Sequence, residues 1–561
     1  MMKKLFTIFF SLLVSYSIIA QVAPNKYWVK FTDKDNSPFS IDNPGEFLSQ
    51  RAIDRRTAYN IPIDESDLPV NQTYINAVAA EGATVLNASK WFNSVTIYTT
   101  NPAVVDAINQ LPFVMGVEKS SGGNSIANSY SEKPFFADES YAQIPETGYL
   151  KGTSSGQSYD YGQAYNQINM LNGIPLHDMG YNGTGMIIAI QDAGFLNANT
   201  IAAFDYLWDN DRILGTKDFV SPYDPDIFGS HSHGTSVLST IGANLPGQMV
   251  GTAPEASFYL LRSEDGDTEY LIEELNWVSA AEFADSVGAD VINSSLGYTT
   301  FDDPSMDHTY ADMDGNTAPI TIGADKAVSK GMIVVNSAGN SGGSSWQYIG
   351  APADGDSVFS IGAVDASGNY ASFSSTGPTA DGRLKPNVVA QGQSSTIISA
   401  WSGEVSSGSG TSFSSPITAG MVTCLWQAHP DKRNTEIMEA IQMSGSLASN
   451  PNNQLGYGIP DYTMAHDMIT NAGVEIPFNN SVSVYPNPFN DEFSILMNDG
   501  TLQIQKVEVT DISGKVIYTL NVNQVNGDLI KISGLASLNA GVYFIQINSA
   551  EGRIVKKILK N

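Results

Sequence analysis

The chain has 561 residues, with 58 acidic against 28 basic side chains, a formal net charge of −30 and one cysteine, Cys424. That length exceeds one ordinary core, so several units are expected. The charge argues against nucleic acid and anionic membranes as partners, and a lone cysteine excludes an intramolecular disulfide. Cys424 lies in an apolar, helical-looking stretch and reads as a buried thiol that acts as a small hydrophobe.

In chain order, Lys3 and Lys4 precede an apolar run from Leu5 to Ala20. A basic start, a short hydrophobic core and a small terminal residue describe a secretory signal over 1–20; the run is short for a membrane span. Residues 21–120 predict a small α+β domain. It has a strand over Lys26–Thr32, helices over Phe47–Tyr59 and Thr73–Ala80, and strands within Ala83–Thr99. A helix opens at Asn101-Pro102, with Asn as cap and Pro in its first turn, and a strand over Phe113–Val117 follows. Residues 121–159 are rich in Ser, Gly, Asn and Tyr. Ser120-Ser121-Gly122-Gly123 and Gly152-Thr153-Ser154-Ser155-Gly156 read as exposed linker, where cutting is easiest.

From 160 to 470, apolar strand candidates alternate with helices. The strands are Met186–Ile190, Phe258–Leu261, Val291–Ser294, Met332–Asn336 and Val358–Val364; Tyr270–Ser286 and Ala324–Lys330 are helical. Alternation of this kind predicts an α/β domain, a mostly parallel sheet with helices on both faces. A linker over 471–480 leads to 481–561. There, short strands separated by Ser513-Gly514 and Asn539-Ala540-Gly541 predict a small all-β, sandwich-like module.

Four residues in the α/β region carry candidate chemistry. Asp192 closes the run Ile187–Gln191, at the carboxyl end of a buried strand where α/β sheets form their sites. His233 stands in Ser232-His233-Gly234-Thr235-Ser236, ahead of an apolar helix, as a candidate general base. Ser412 stands in Gly410-Thr411-Ser412-Phe413-Ser414-Ser415-Pro416, at the start of a predicted helix over Thr411–Trp426. Its N–H lies at the positive end of the helix dipole, where an oxyanion would be held. Asn340, in Ala338-Gly339-Asn340-Ser341-Gly342, offers a side-chain amide as second oxyanion donor. Taken singly, each has a plainer use: a turn aspartate, a structural histidine, a helix cap, an Asn-Ser-Gly turn.

Together they stand in the order Asp, His, Ser, the order used by subtilisin. With Gly251-Thr252-Ala253-Pro254 and Asn293-Ser294-Ser295-Leu296-Gly297, the blocks resemble the subtilisin-like serine proteases over about 160–465. The resemblance implies an Asp192-His233-Ser412 triad, Asn340 at the oxyanion, and Ser295, Leu296 and Gly297 as the strand that pairs with substrate. It implies protein or peptide substrates and no organic cofactor, with calcium as an optional structural ion. The domain over 21–120 is similar to a subtilase propeptide by placement and element order, which makes it a partner of the peptidase; a retained accessory domain is the alternative. Residues Val484-Tyr485-Pro486-Asn487-Pro488-Phe489, Asp511–Lys515 and Gly541–Ile545 resemble the Bacteroidetes type IX secretion sorting domain. That implies the type IX machinery as a partner and a secreted, extracellular or cell-surface location after outer-membrane export.

Ala193 replaces the Ser or Thr usual after the aspartate, and Phe413-Ser414 replace the commoner Met-Ala after the serine. Other readings are weighed against these. Gly339-Asn340-Ser341-Gly342-Gly343 fits the lipase elbow G-x-S-x-G, with His429 and His466 downstream but in no recognisable frame. His231-Ser232-His233 invites a metal, without a third ligand nearby. Asp312-Met313-Asp314-Gly315-Asn316 is a partial calcium loop. A catalytically silent secreted pseudoprotease or surface-binding protein is the non-enzyme alternative, and it needs a lost catalytic residue that the sequence does not show.

Overall fold

The computed structural model describes residues 25–121 and 157–470 and, between 482 and 560, seven strands with some of their connections. The signal expected over 1–20, most of the 121–159 linker and the 471–480 linker lie outside the described residues. The chain divides into two compact units, Met1–Ala465 and His466–Asn561.

In the first unit, residues 25–121 form a four-stranded antiparallel sheet with helices. Its elements are β1 (Lys26–Phe31), α1 (Gln50–Ala58), α2 (Gln72–Ala80), β2 (Thr84–Ser89), β3 (Ser94–Tyr98), α3 (Pro102–Asn109) and β4 (Val114–Lys119), with strand order β2-β3-β1-β4. Asn101 caps α3 as expected, its side chain accepting from Ala103 N–H. Val29, Val95, Ile97, Val78 and Ile108 are fully or almost fully buried in its core. Ser120 and Ser121 depart from the exposed linker expected there: both are buried. The Ser120 carbonyl accepts from Ile272 N–H at 2.8 Å and the Ser121 hydroxyl accepts from Lys26 N–H at 2.8 Å. Backbone pairing therefore continues past β4.

The α/β region over 157–470 that follows is built on alternating strands and helices. After α4 (Tyr165–Asn169) and α5 (Ile174–Asp178) come β5 (Ile187–Asp192), α6 (Asp205–Asp209), β6 (Ile213–Asp218) and α7 (His233–Gly242). The short β7 (Asn244–Leu245) and β8 (Met249–Val250) precede β9 (Ser257–Arg262), α8 (Leu271–Val287), β10 (Val291–Ser294), α9 (Pro319–Ser329), β11 (Ile333–Ser337), β12 (Phe359–Val364) and β13 (Val388–Gln391). A hairpin of β14 (Ser395–Ile398) and β15 (Val405–Gly408) leads into α10 (Thr411–Ala428), then α11 (Asn434–Met443) and α12 (Tyr462–Thr470).

Seven strands form one sheet in the order β13-β12-β11-β10-β5-β9-β6, and every pairing in it is parallel. The strands are apolar on both faces because both are covered: Val291, Ile292, Ile333, Val334 and Val335 are completely buried. Two strands of this sheet escaped the sequence reading. β6, Ile-Leu-Gly-Thr-Lys-Asp, sits at an edge and is largely polar, and β13 is only four residues long. At β5 the chain order reverses, β9 lying on one side and β10 on the other, which places the carboxyl end of β5 at a topological switch point.

The second unit carries β16 (Val482–Tyr485), β17 (Phe493–Met497), β18 (Ile504–Asp511), β19 (Val516–Asn521), β20 (Leu529–Ile532), β21 (Gly541–Ser549) and β22 (Arg553–Lys560). They form sheets of three and four strands, β16-β17-β20 and β19-β18-β21-β22. Phe489, Phe493, Ile495, Val507, Ile545 and Ile558 share one core, the all-β module read from the sequence.

Candidate active site

Asp192 is the last residue of β5 and is completely buried. Its Oδ1 accepts from Ala193 N–H at 2.8 Å and lies 2.7 Å from His233 Nδ1. Ala193 has no side-chain hydroxyl, and its backbone N–H supplies the second donor. Complete burial pushes the Asp192 carboxyl up, and His233 and the Ala193 N–H oppose that shift.

His233 opens α7 and is also fully buried. Gly234 makes this approach feasible: a Cβ there would fall 2.3 Å from Gly194 O and 2.9 Å from Asp192 Cβ. The His233 backbone N–H donates to His231 Nδ1 at 3.2 Å. In the His-Ser-His pair, one Nδ1 thus faces a backbone amide and the other faces Asp192.

Ser412 is the second residue of α10, buried under the same shell. Among the described contacts, its hydroxyl donates to the Ser295 carbonyl at 3.5 Å, a long contact, and the Ser295 hydroxyl donates to the Ser412 carbonyl at 2.9 Å. The helix begins at Thr411, so Pro416 falls in its second turn rather than at its very start. The Phe413 ring sits 6.3 Å from the His233 ring, between centroids.

Asn340 is held by its carbonyl. Oδ1 accepts from Thr411 N–H at 2.9 Å and from Thr411 Oγ1–H at 3.0 Å, which turns Nδ2 the other way. A Cβ placed on Gly410 would meet Asn340 Nδ2 at 3.4 Å and Ser412 N at 3.7 Å. Both nitrogens therefore lie on the side of residue 410 where a side chain would stand.

Ser295, Leu296 and Gly297 follow β10 outside any regular element, and Tyr298 bridges to Ala351. The sequence reading missed a neighbouring group: buried Glu264, Glu269 and Glu273 bring carboxylate oxygens within 4.8 Å of one another, and the Tyr298 hydroxyl donates to Glu264. Spread over the end of β9 and the start of α8, they match no fixed spacing.

Local structure bears on two rival readings. The G-x-S-x-G segment leads from β11 into turns, where an elbow needs a helix. In the partial calcium loop, Asp312 accepts from Thr309 N–H and Oγ1–H, and Asp314 accepts from Asn316 N–H and Thr317 Oγ1–H. Those carboxylates cap their own turns.

Residues 183–458 match the model of the subtilase family, 26–133 match the peptidase S8 propeptide domain of Bacteroidota, and 483–561 match the secretion system C-terminal sorting domain. The chain is 31% identical over 333 residues to subtilisin E of Bacillus subtilis, an alignment covering 58% of this chain and 77% of that protein. The chain belongs to the subtilase family. This subtilase is also 34% identical to subtilisin DY of Bacillus licheniformis over 301 residues, 51% of its own length and 94% of that protein. The crystal structure of fervidolysin from Fervidobacterium pennivorans, a keratinolytic enzyme related to subtilisin, shares the fold. Its TM-score is 0.53 at 18% identity, covering 93% of this chain and 70% of that one. The subtilase is a serine endopeptidase with a propeptide domain and an export sorting domain. Among the described residues, no helix is long and apolar enough to cross a membrane.

Proposed function

We propose that the chain is the precursor of a secreted serine endopeptidase in which Ser412 is the nucleophile, His233 the proton carrier and Asp192 the group that orients it. The observation that carries this reading is the 2.7 Å contact between His233 Nδ1 and Asp192 Oδ1, both fully buried beside the N-terminus of α10. With Nδ1–H donated to Asp192, Nε2 is the basic nitrogen. It takes the Ser412 proton as Oγ attacks the scissile carbonyl, and gives that proton to the departing amine, leaving an acyl-enzyme. Water then adds with His233 again as base, and Ser412 is released. Asn340 Nδ2 and Ser412 N–H hold the oxyanion. Ser295, Leu296 and Gly297 pair with the peptide as an added strand.

These residues supply nucleophile, base and oxyanion donors, so no organic cofactor is required; calcium, where bound, is structural. The N-terminal domain is the first partner and blocks the cleft until it is removed. The sorting domain is the substrate of the type IX machinery, which carries the protein across the outer membrane to the medium or cell surface. A net charge of −30 speaks against nucleic acid.

Fluorophosphonate labelling with mass-spectrometric mapping tests the reading. It is run on the wild type and Ser412→Ala, each as intact precursor and freed of its N-terminal domain. An adduct on Ser412, only after that domain is gone, is the expected result. No adduct in any correctly folded form would overturn it.

A further inference from the structure

Between β1 and α2 the N-terminal domain carries a segment, Pro44–Asp67, outside its four-stranded sheet. It lays α1 against the carboxyl ends of α8 and α9. Helix carboxyl ends expose carbonyls without intrahelical donors and carry partial negative charge. Arg55 brings a cation and donors to both ends, beside the Gly288 N–H that already caps Asp285 O. Its Nη1 donates to Ala289 O, its Nε to Lys330 O at 3.2 Å, and its Nη2 to Asp285 O at 3.4 Å. Asp285 belongs to the last turn of α8, and Lys330 is the cap of α9. One guanidinium thus joins the two helix ends.

Around it lies a buried charge network. The Asp285 carboxylate accepts from Arg55 Nη2 at 2.7 Å, from Arg56 Nη2 at 2.8 and 2.9 Å, and from Lys90 Nζ at 3.1 Å. Arg56 Nη1 also reaches Asp67 at 3.0 Å, and Asp67 receives Lys330 Nζ at 2.9 Å. At the more exposed rim, Arg51 pairs with Asp290 and donates to Gly288 O at 3.0 Å. The N-terminal side brings mainly cations and the peptidase mainly carboxylates.

A separate contact covers the middle of α8. There the Glu282 carboxylate accepts from Ser89 Oγ at 2.5 Å, Lys90 N–H at 2.7 Å and Trp91 N–H at 2.9 Å, and Asn87 bonds Asn276 at 3.0 Å. The β2–β3 edge makes that contact and α1 makes most of the other, with Lys90 reaching both.

We propose that Pro44–Asp67 is a second docking element which, through Arg55 and Arg56 on the ends of α8 and α9, keeps the N-terminal domain on the peptidase after the chain between them has been cut. This rests on reading the domain as an inhibitory propeptide. Separation exposes buried charges on both surfaces at once, and that cost appears mainly in the rate of leaving.

The test uses the full chain carrying Ser412→Ala, so that it cannot cut itself, with a recognition sequence for an unrelated site-specific protease inserted at Gly152–Gly156. After cutting, the parent halves should co-elute in size exclusion. With Arg55→Ala and Arg56→Ala together, dissociation should be faster by more than about 30-fold. Asp285→Asn, nearly isosteric, should act in the same direction from the peptidase side and serves if the arginine variant fails to fold uncut. Parent halves that separate at once, or an Asp285→Asn chain that leaves at the parental rate, would overturn the proposal. Peptide hydrolysis by the cut chain with Ser412 restored separates the two ideas: a domain that stays docked without suppressing hydrolysis refutes the propeptide reading and leaves the docking element standing.

Discussion

The hydroxyl of Ser295 donates to the carbonyl of Ser412 at 2.9 Å, and Pro416 is the reason that bond is needed. In a regular helix the N–H of residue 416 would bond the carbonyl of residue 412. Pro416 has no N–H, so the Ser412 carbonyl is left without its helical donor in a buried setting. Ser295 fills that place from outside the helix, and it is steadied by Asn293 Nδ2 at 3.4 Å.

Removing that donor orphans a buried carbonyl, which costs about 1–3 kcal/mol. Ser295→Ala should therefore unfold at lower temperature. It should also turn over about tenfold more slowly at nearly unchanged KM, because the first turn of α10 aims the Ser412 N–H. Adding Pro416→Ala returns the missing N–H and should recover much of the loss. Steady-state kinetics and calorimetry on the three variants decide it; a double variant worse than Ser295→Ala alone refutes the account.

The space beside Gly410 should be equally telling. Asn340→Ala is expected to lower kcat by about 100- to 1000-fold, the loss typical of removing one oxyanion donor from a subtilisin. Gly410→Ala puts a methyl beside the same two nitrogens, so its loss should be of similar size, and the two substitutions combined should cost far less than the product of their single effects. Single-turnover acylation rates, on variants shown to be folded by circular dichroism, make the comparison.

His177 lies buried on α5 with Nδ1 2.8 Å from the Tyr161 hydroxyl and Nε2 3.0 Å from Thr252 O. A carbonyl can only accept, so Nε2 carries the proton and Nδ1 accepts from Tyr161. Burial lowers the imidazole to about 4, against weaker opposing effects of the Thr252 bond and Asp178. A depressed histidine contributes stability that is intact above pH 6.5 and drains away as pH falls toward 4, about 3 kcal/mol in all. Denaturant midpoints measured from pH 7 to pH 4 should fall accordingly, and His177→Gln should flatten that part of the curve.

Asp285 should show a lower window. Burial alone would raise its carboxyl, but Lys90, Arg56 and Arg55 outweigh that and hold it at about 2. The stabilisation, about 2–3 kcal/mol, is complete above pH 3.8 and lost as pH falls toward 2. For the uncut chain, Asp285→Asn should lower Tm at pH 7, and the gap to wild type should narrow below pH 3. A gap independent of pH would assign the effect to packing rather than charge.

The chain order of Asp192, His233 and Ser412 and the alternation that builds the parallel sheet were legible in the sequence from local spacing and apolar runs, and the reaction class from the resemblance of those blocks to the subtilisin-like serine proteases. The short or polar strands β6 and β13 were not, since edge position and sheet neighbours decide them. Buried Ser120 and Ser121 read as linker because small polar residues look alike whether they face water or an adjoining backbone. Only the tertiary structure brought Ser295 under the carbonyl freed by Pro416, set Thr411 on Asn340, and gathered Arg55, Arg56 and Lys90 around Asp285. Those pairings join residues from about 70 to 230 positions apart. Sequence fixes which donors and acceptors exist, but which buried group each must satisfy is settled by how the sheet and helices close over them.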